Sequence, residues 1–503
     1  MSVTQKDKMR VSEYYHLGRT QPSLDFVDID IENDTPVYID PSAIKKLSDE
    51  WASECLKMLS TFFDSVLDAI KMNDQERARS LLIRLQEPNE THFGLSRGRS
   101  RGRALGPHLV EKICNNLTVS RAARSGILED LEDTALFIPG MGKDIVSDLT
   151  TNVIRGMLVA YTQSMATMYG IRLEEGVHTG LAWDPIRREW EDGFARIPLP
   201  AGKPILLVPK IIVRYDLHLT KEDYFRNFLA PALQTEELDR PGSKLVRTAK
   251  DGKNYVLKGD VEAEYDGDKA KIAELSFDRS SVFHSYKQQK QESSTPALSH
   301  KELSAATSTE RVDFDKLLQD VLSIPPGAED ASRYHKAIEA LLTAVFYPAL
   351  TQPIIEDELD QGRKRADIMY TNTSDKGFFS WLMRQRIPCS YVFIECKNYQ
   401  SDLGNPELDQ ICGRFSPLRG KFGILTCRSF INKKRFVERC RDAALQRNDF
   451  VLTLDDEDLR QLVEEVKESY VEYDSTYLDM IPPDKPGICE FRVLHEQYRR
   501  LVS

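Results

Sequence analysis

Residues 391–400, YVFIECKNYQ, begin with a run of apolar side chains and then carry two opposite charges two positions apart. The apolar run at 391–394 is typical of a strand buried in a sheet. Glu395 and Lys397 follow it, and residues two positions apart project from the same face of a strand. We therefore expect both charges to lie together at the end of a buried strand, where an active site can open.

Helical and strand patterns alternate on both sides of this strand. Residues 331–346 show the apolar stripe of an amphipathic helix, and RADIMY at 365–370 reads as the second strand of a hairpin. Residues 405–415 predict a helix, and residues 421–427 predict a further strand. The expected order is αβββαβ, followed by an αβα extension. Because the central strands are apolar on both faces, we predict an α/β domain whose mixed sheet is flanked by helices.

Asp367 lies in the strand that precedes the 391–397 strand, so its carboxylate can join Glu395 and Lys397. Two neighbouring carboxylates repel each other unless a cation lies between them, and oxygen ligands suit Mg²⁺ or Mn²⁺. The carbonyl of Cys396 is available as a third protein ligand. The ammonium group of Lys397 can orient a water molecule and ease its deprotonation for attack on phosphorus.

Over about residues 330–455 the chain resembles the PD-(D/E)XK nuclease superfamily, in its Mrr-like variant. GRKRAD, ending in Asp367, matches the metal-binding Asp of that family, and IECK supplies its Glu395 and Lys397 pair. The resemblance implies a restriction-endonuclease-like αβββαβ core and cleavage of phosphodiester bonds.

Two further residues match the family in the expected order. Glu339 in the first helix matches the Glu of the first motif, although it could equally anchor Lys397. Gln410 matches the Gln of Mrr-like members that helps to place water or the DNA backbone. The acidic run at 356–360 offers rival carboxylates, so the number of metal ions stays open.

The function that the resemblance implies is a Mg²⁺-dependent endonuclease acting on DNA, of the kind that bacteria use against phage or foreign DNA. The expected partners are DNA and either a second copy of the chain, in a homo-oligomer, or a partner protein of a defence system. One alternative is a nucleic-acid-binding protein that keeps the fold without catalysis. Another is an RNA nuclease, which the sequence does not distinguish from a DNA nuclease.

Clustered cations predict contact with a polyanion. Residues 94–106, GLSRGRSRGRALG, alternate Arg with Gly and Ser, so they form either a phosphate-gripping loop or a basic surface loop. Further cations lie close to the proposed site in sequence. The predicted nucleic-acid-binding residues are Arg97, Arg99, Arg101, Arg103, Arg363, Arg365 and Arg414.

Composition divides the chain into four parts. Residues 287–311, rich in Ser, Thr, Gln and Lys, predict a flexible linker after a mixed α+β sensing or DNA-positioning region at 1–286. The nuclease domain is expected at 312–470 and an extension at 471–503.

Within the N-terminal region, the alternation of apolar and acidic residues at 24–32 predicts a half-exposed strand, whose carboxylates are solvated or bind metal. Residues 51–70 and 147–169 carry helical periodicity, and Gly170 is the expected stop of the second helix.

Charge and cysteine content exclude several classes of protein. The net charge is −11, which argues against a chain coated in nucleic acid but not against a local basic groove. No run of eighteen apolar residues occurs, and the N-terminus is too polar for a secretory signal. The eight cysteines include no CxxC pair, so we expect reduced thiols in a cytoplasmic protein.

Overall fold

The computed structural model describes residues 9–85, 87–94, 107–120, 123, 128–292, 295–359, 364–399, 402–474 and 490–503. Its buried apolar side chains form two separate cores. The first core draws on residues 11–306 together with Tyr347, and the second draws on residues 314–501. The chain therefore passes from one core to the other between residues 306 and 314.

The N-terminal part is mainly helical. Its largest strand pair is the antiparallel hairpin of β2 (Glu174–Asp184) and β3 (Glu189–Ile197). Two smaller pairs are antiparallel: β1 (Tyr38–Ile39) with β4 (Val213–Arg214), and β5 (Val246–Thr248) with β6 (Asn254–Val256). The helices of this part are α1 (Val11–Tyr14), α2 (Pro41–Lys45), α3 (Glu50–Lys71), α4 (Gln75–Leu82), α5 (Pro107–Val119), α6 (Thr134–Phe137), α7 (Lys143–Val153), α8 (Arg155–Tyr169), α9 (Lys221–Tyr224), α10 (Ala230–Asp239), α11 (Lys258–Tyr265), α12 (Lys269–Phe277), α13 (Ser280–Glu292) and α14 (His300–Thr307).

The half-exposed strand expected at 24–32 is wrong. Residues 24–31 are buried on both sides and form isolated bridges rather than a named strand. Asp28 is satisfied internally, because it accepts hydrogen bonds from the backbone N–H (2.9 Å) and the hydroxyl (2.6 Å) of Ser12. The alternation that resembles a solvated strand face thus belongs to a buried segment, in which Asp25 and Asp28 accept hydrogen bonds from donors elsewhere in the protein.

The exposed linker expected at 287–311 is also wrong for most of its length. Residues up to 292 continue α13, and α14 begins after a Ser299–Glu302 capping box. Lys287, His300 and Leu303 are buried in the first core. The Ser and Thr residues that suggest flexibility in the sequence include the cap of a helix.

The second core surrounds a five-stranded mixed sheet, which confirms the α/β class of this part. The strands are β7 (Leu350–Leu359), β8 (Lys364–Asn372), β9 (Tyr391–Lys397), β10 (Phe422–Cys427) and β11 (Phe450–Leu454). Their spatial order is β11-β10-β9-β8-β7. The pairs from β7 to β9 are antiparallel, and the pairs from β9 to β11 are parallel.

Helices cover both faces of this sheet. Nearly every residue of β9 and β10 is buried, and because successive residues face opposite sides, both faces must be covered. The C-terminal helix lies beyond residue 471, yet Val493, Leu494 and Leu501 belong to the same core. The helices are α15 (Phe314–Leu322), α16 (Ala331–Phe346), α17 (Gly377–Arg384), α18 (Asn405–Cys412), α19 (Lys433–Arg447), α20 (Asp456–Asp474) and α21 (Arg492–Val502).

Within the described residues, none of the helices is both long enough and apolar enough to cross a membrane.

Candidate active site

Asp367 and Glu395 lie on neighbouring antiparallel strands. The register pairs Ile368 of β8 with Ile394 of β9. Because the strands are antiparallel, the residue before Ile368, which is Asp367, lies opposite the residue after Ile394, which is Glu395. Opposite residues of an antiparallel pair project from the same face about 5 Å apart. The Oδ2 atom of Asp367 accepts a hydrogen bond from the backbone N–H of Cys396 at 2.8 Å, which fixes the carboxylate against β9. The structure thus places the two predicted carboxylate residues opposite each other on paired strands.

Glu395 is fully buried and is held by two cations. The ammonium group of Lys397 lies 2.6 Å from its Oε1 atom, and the guanidinium of Arg414 contacts its Oε2 atom. A buried carboxylate is stable only when its charge is compensated. Lys397 and Arg414 therefore supply the positive charge that a buried carboxylate at this position needs.

Lys397 is oriented from a second element. Its Nζ atom donates to the Oε1 atom of Gln410 on α18 at 2.9 Å. Helix α18 starts beside the end of β9, where the backbone N–H of Gly404 donates to the carboxylate of Glu407 at 2.8 Å. The ammonium group is therefore fixed by one carboxylate and one amide.

Glu339 lies on α16 but does not join this cluster. Its carboxylate forms an ion pair with Arg19 of the N-terminal part and accepts from the hydroxyl of Thr343 at 3.0 Å. Burial raises the pKa of Glu339, and the neighbouring Arg19 opposes that rise. The family resemblance therefore identifies the helix that carries Glu339. It does not predict the ion pair with Arg19, because Arg19 is more than 300 residues away in the chain.

His335 is the residue that α16 brings to the site, and sequence reasoning missed it. Its Nε2 atom lies 3.2 Å from the carbonyl oxygen of Cys396 and 4.0 Å from the Oδ2 atom of Asp367. His335 precedes Glu339 by four residues, so both lie on one face of the helix. That spacing is the signal that could have identified it.

The donor set fits a hard divalent cation. Asp367, Glu395 and the carbonyl of Cys396 are oxygen donors, which Mg²⁺ and Mn²⁺ prefer, and His335 adds a nitrogen donor that suits Mn²⁺. Burial raises the pKa of the Cys396 thiol, so the thiolate is not the ligand form. In the structure Lys397 and Arg414 supply the positive charge at Glu395, and an ion there would share that carboxylate with them.

The predicted phosphate contacts are only partly visible. Arg97, Arg99, Arg101, Arg103 and Arg363 lie outside the described residues, as does the side chain of Arg365. Arg414 differs from its prediction, because it is 3% exposed and paired with Glu395 rather than open to a phosphate. Arg414 lies in the turn after α18, and from there its guanidinium reaches Glu395 at the end of β9. The spacing of residues in the sequence does not indicate this contact.

A second acidic cluster lies in the N-terminal part. The carboxylate oxygens of Glu129, Asp130 and Asp133 lie within 4.8 Å of one another. The ammonium group of Lys287 is 2.9 Å from Glu129, 2.9 Å from Asp130 and 3.1 Å from Asp133. Lysine already provides the cation that these carboxylates need, so they do not require a metal.

A family model described as a domain of unknown function (DUF8370) matches residues 16–220. The match covers less than half of the chain and ends before the five-stranded sheet begins. No curated protein and no solved structure matches this chain.

Proposed function

We propose that the C-terminal part is a Mg²⁺-dependent nuclease of the PD-(D/E)XK type that hydrolyses phosphodiester bonds in DNA. The observation that carries this proposal is the meeting of Asp367, Glu395 and Lys397 where β8 and β9 adjoin, with Gln410 bonded to Lys397. These four residues come from three elements: Lys397 is bonded to Glu395 and to Gln410, and Asp367 is bonded to the backbone of β9 beside them.

The order of elements supports the same proposal. Helix α16, strands β7, β8 and β9, helix α18 and strand β10 follow one another as the predicted αβββαβ core requires. Helix α17 is an addition between β8 and β9. Pairing changes from antiparallel to parallel at β9, the central strand of the sheet, and Glu395 and Lys397 lie at the end of that strand.

The chemistry follows from the donors and acceptors at the site. A bound Mg²⁺ would supply Lewis acidity and neutralise charge on the phosphate. An ammonium group has three N–H donors, of which Lys397 directs one to Glu395 and one to Gln410. The third can hold the attacking water in line with the phosphorus and ease loss of its proton, because a fixed positive charge favours the anion that forms.

One observation favours the non-catalytic alternative. Lys397 and Arg414 already balance the buried charge of Glu395. In a protein that binds nucleic acid without cutting it, this ion-pair cluster would serve the fold alone. A role in defence against foreign DNA rests on the resemblance alone.

A substrate panel separates these functions. The purified chain is incubated with supercoiled plasmid, linear DNA and RNA, each with Mg²⁺ and each with EDTA. We expect Mg²⁺-dependent loss of the DNA substrates, and Asp367→Asn, which keeps the size of the side chain but removes its charge, should not cut. Cleavage of RNA alone would show that the substrate is RNA rather than DNA. Binding of all three nucleic acids without cleavage would establish the non-catalytic alternative.

A further inference from the structure

Helix α16 brings a nitrogen atom to the oxygen donors of the proposed metal site. The Nε2 atom of His335 lies 3.2 Å from the carbonyl oxygen of Cys396 and 4.0 Å from the Oδ2 atom of Asp367. Around an octahedral ion with ligand distances of about 2.1 Å, neighbouring ligands are about 3 Å apart and opposite ligands are about 4 Å apart. Both separations from His335 therefore fit ligands of a single ion.

This side of the site is open to solvent, whereas Glu395 is not. The side chains of His335 and Asp367 are 21% and 17% exposed, so an ion from solvent can reach them. Glu395 is fully buried and pairs with two cations. An entering ion therefore meets the imidazole of His335, the carboxylate of Asp367 and the carbonyl of Cys396 before it meets Glu395.

Glu339, the residue of α16 that the family resemblance assigns to the site, is engaged elsewhere. Its carboxylate is fully buried, paired with Arg19 and bonded to Thr343. His335 lies one helical turn before Glu339 on the same face of α16, and it contacts the site directly. The chain therefore departs from the family pattern, because α16 offers the site an imidazole where the resemblance implies a carboxylate.

We propose that His335 is a ligand of the metal ion and gives the site a preference for first-row transition ions such as Mn²⁺ over Mg²⁺. Mg²⁺ is a hard ion that takes oxygen ligands, whereas imidazole nitrogen is a ligand of transition ions. The inference rests on the metal site of the proposed nuclease and identifies the ion that this site selects. The competing interpretation is a structural hydrogen bond from the Nε2 atom of His335 to the carbonyl of Cys396.

Pulsed electron paramagnetic resonance of Mn²⁺ bound to the full chain tests the ligand directly, because a nitrogen atom bonded to the ion modulates the spin echo. We expect a nitrogen modulation that changes when the histidines carry the heavier nitrogen isotope. This measurement uses the wild type, so it does not depend on whether a substituted protein folds. Bound Mn²⁺ without nitrogen modulation, or failure of Mn²⁺ to bind, would overturn the proposal.

His335→Gln removes the imidazole but keeps a hydrogen-bond donor and adds an oxygen atom. Isothermal titration calorimetry of the full chain should show Mn²⁺ binding weakened about tenfold or more, since even a group that only supports a metal ligand is worth about that much. Mg²⁺ binding should change by less than about threefold, because this ion gains little from a nitrogen ligand. An equal loss for both ions, or no loss for Mn²⁺, would overturn the proposal and leave His335 a structural role.

His284→Gln is the matched control, because His284 is an exposed histidine on α13 whose Nε2 atom lies 3.4 Å from Glu129 of the second acidic cluster. Loss of the nitrogen modulation in His284→Gln but not in His335→Gln would place the ion at that cluster and overturn the proposal. Circular dichroism checks that both variants fold.

Plasmid cleavage in Mg²⁺ and in Mn²⁺ is measured separately from metal binding. Nitrogen ligation that depends on His335, without cleavage in either ion, would support the ligand and contradict the nuclease. Cleavage by a protein whose bound Mn²⁺ shows no nitrogen modulation would support the nuclease and overturn the ligand.

Discussion

Arg414 and Lys397 hold the same buried carboxylate, that of Glu395. A divalent cation at Glu395 would compete with Arg414 rather than with Lys397, because Lys397 also bonds to Gln410. In the proposed nuclease, Arg414 would therefore couple metal binding to stability.

Arg414→Gln should destabilise the metal-free protein by about 3 kcal/mol, since it leaves a buried carboxylate with one partner. Mn²⁺ should then raise the melting temperature more in the variant than in the wild type, because the ion replaces the lost positive charge. Thermal melts with and without Mn²⁺ measure this difference. Arg384→Gln, which removes an exposed cation from α17, is the control. Equal Mn²⁺ shifts in all three proteins would show that Glu395 does not bind the ion.

Among the contacts between single residues, the sequence predicts those between residues that are close together in the chain. Glu395 and Lys397 are two residues apart on one strand, so strand geometry alone places them together. Strand geometry does not predict that Arg414 pairs with Glu395 or that Arg19 pairs with Glu339. Their contacts depend on how a turn and a distant segment pack, and no local periodicity records that.

At the scale of elements, α7 carries two acidic residues, Asp144 and Asp148, at positions i and i+4. Burial, together with the charges of Glu87, Asp144 and Asp34, raises the pKa of Asp148 from its usual 3.8 to about 8. The folded protein therefore binds a proton at Asp148 more tightly than the unfolded chain does. Stability should fall as the pH rises from about 4 to about 8.

Asp148→Asn should remove that loss. We expect the variant to be more stable than the wild type at pH 8 by on the order of 2 kcal/mol, and to gain much less at pH 5. Urea denaturation at the two pH values measures the effect. Asp64→Asn, which removes an exposed carboxylate from α3, serves as the control. A gain that does not change between pH 5 and pH 8 would contradict the assignment to Asp148.

Elements with strong local signals were predicted well. The helix expected at 51–70 is confirmed as α3, and the expected stop at Gly170 is confirmed by its left-handed conformation, with φ of 73°. The second helical stretch divides into α7 and α8 at Ile154. The polar composition of residues 287–311 predicts a linker, although Ser299 and Glu302 have the spacing of a helix capping box. The burial of the helices in this stretch depends on contacts with distant parts of the chain, which the local sequence does not record.

At the scale of the whole molecule, the N-terminal part contacts the sheet domain through buried polar groups. Arg19 pairs with Glu339, and the backbone N–H of Gln352 donates to Asp25 at 2.9 Å. The imidazole of His300 lies 2.9 Å from the carbonyl oxygen of Ala344. Glu339 and His335 lie on the same helix, α16. The ion pair between Arg19 and Glu339 therefore connects the N-terminal part to the helix that borders the proposed site.

Arg19→Ala should lower the free energy of unfolding by about 3 kcal/mol, because Glu339 is left buried without its cation. Combining it with Glu339→Gln should restore part of that loss, since a neutral amide needs no counter-charge. Urea denaturation of both single variants and the double variant measures the coupling. Arg196→Ala, which breaks the exposed pair with Glu175, is the control and should change stability by less than about 1 kcal/mol. Strictly additive effects would show that Arg19 and Glu339 are not coupled.

Lys397 provides the most direct test of the proposed nuclease. The measurement is the single-turnover rate of plasmid cleavage with saturating Mg²⁺, for the wild type and for Lys397→Met. We expect the variant to lose at least about 100-fold in rate, because the group that holds and activates the water is gone. Its binding of DNA and Mn²⁺ should remain, since Asp367 and Glu395 are intact. Lys434→Met, an exposed lysine on α19, should cut like the wild type. Cleavage by Lys397→Met at the wild-type rate would contradict the account.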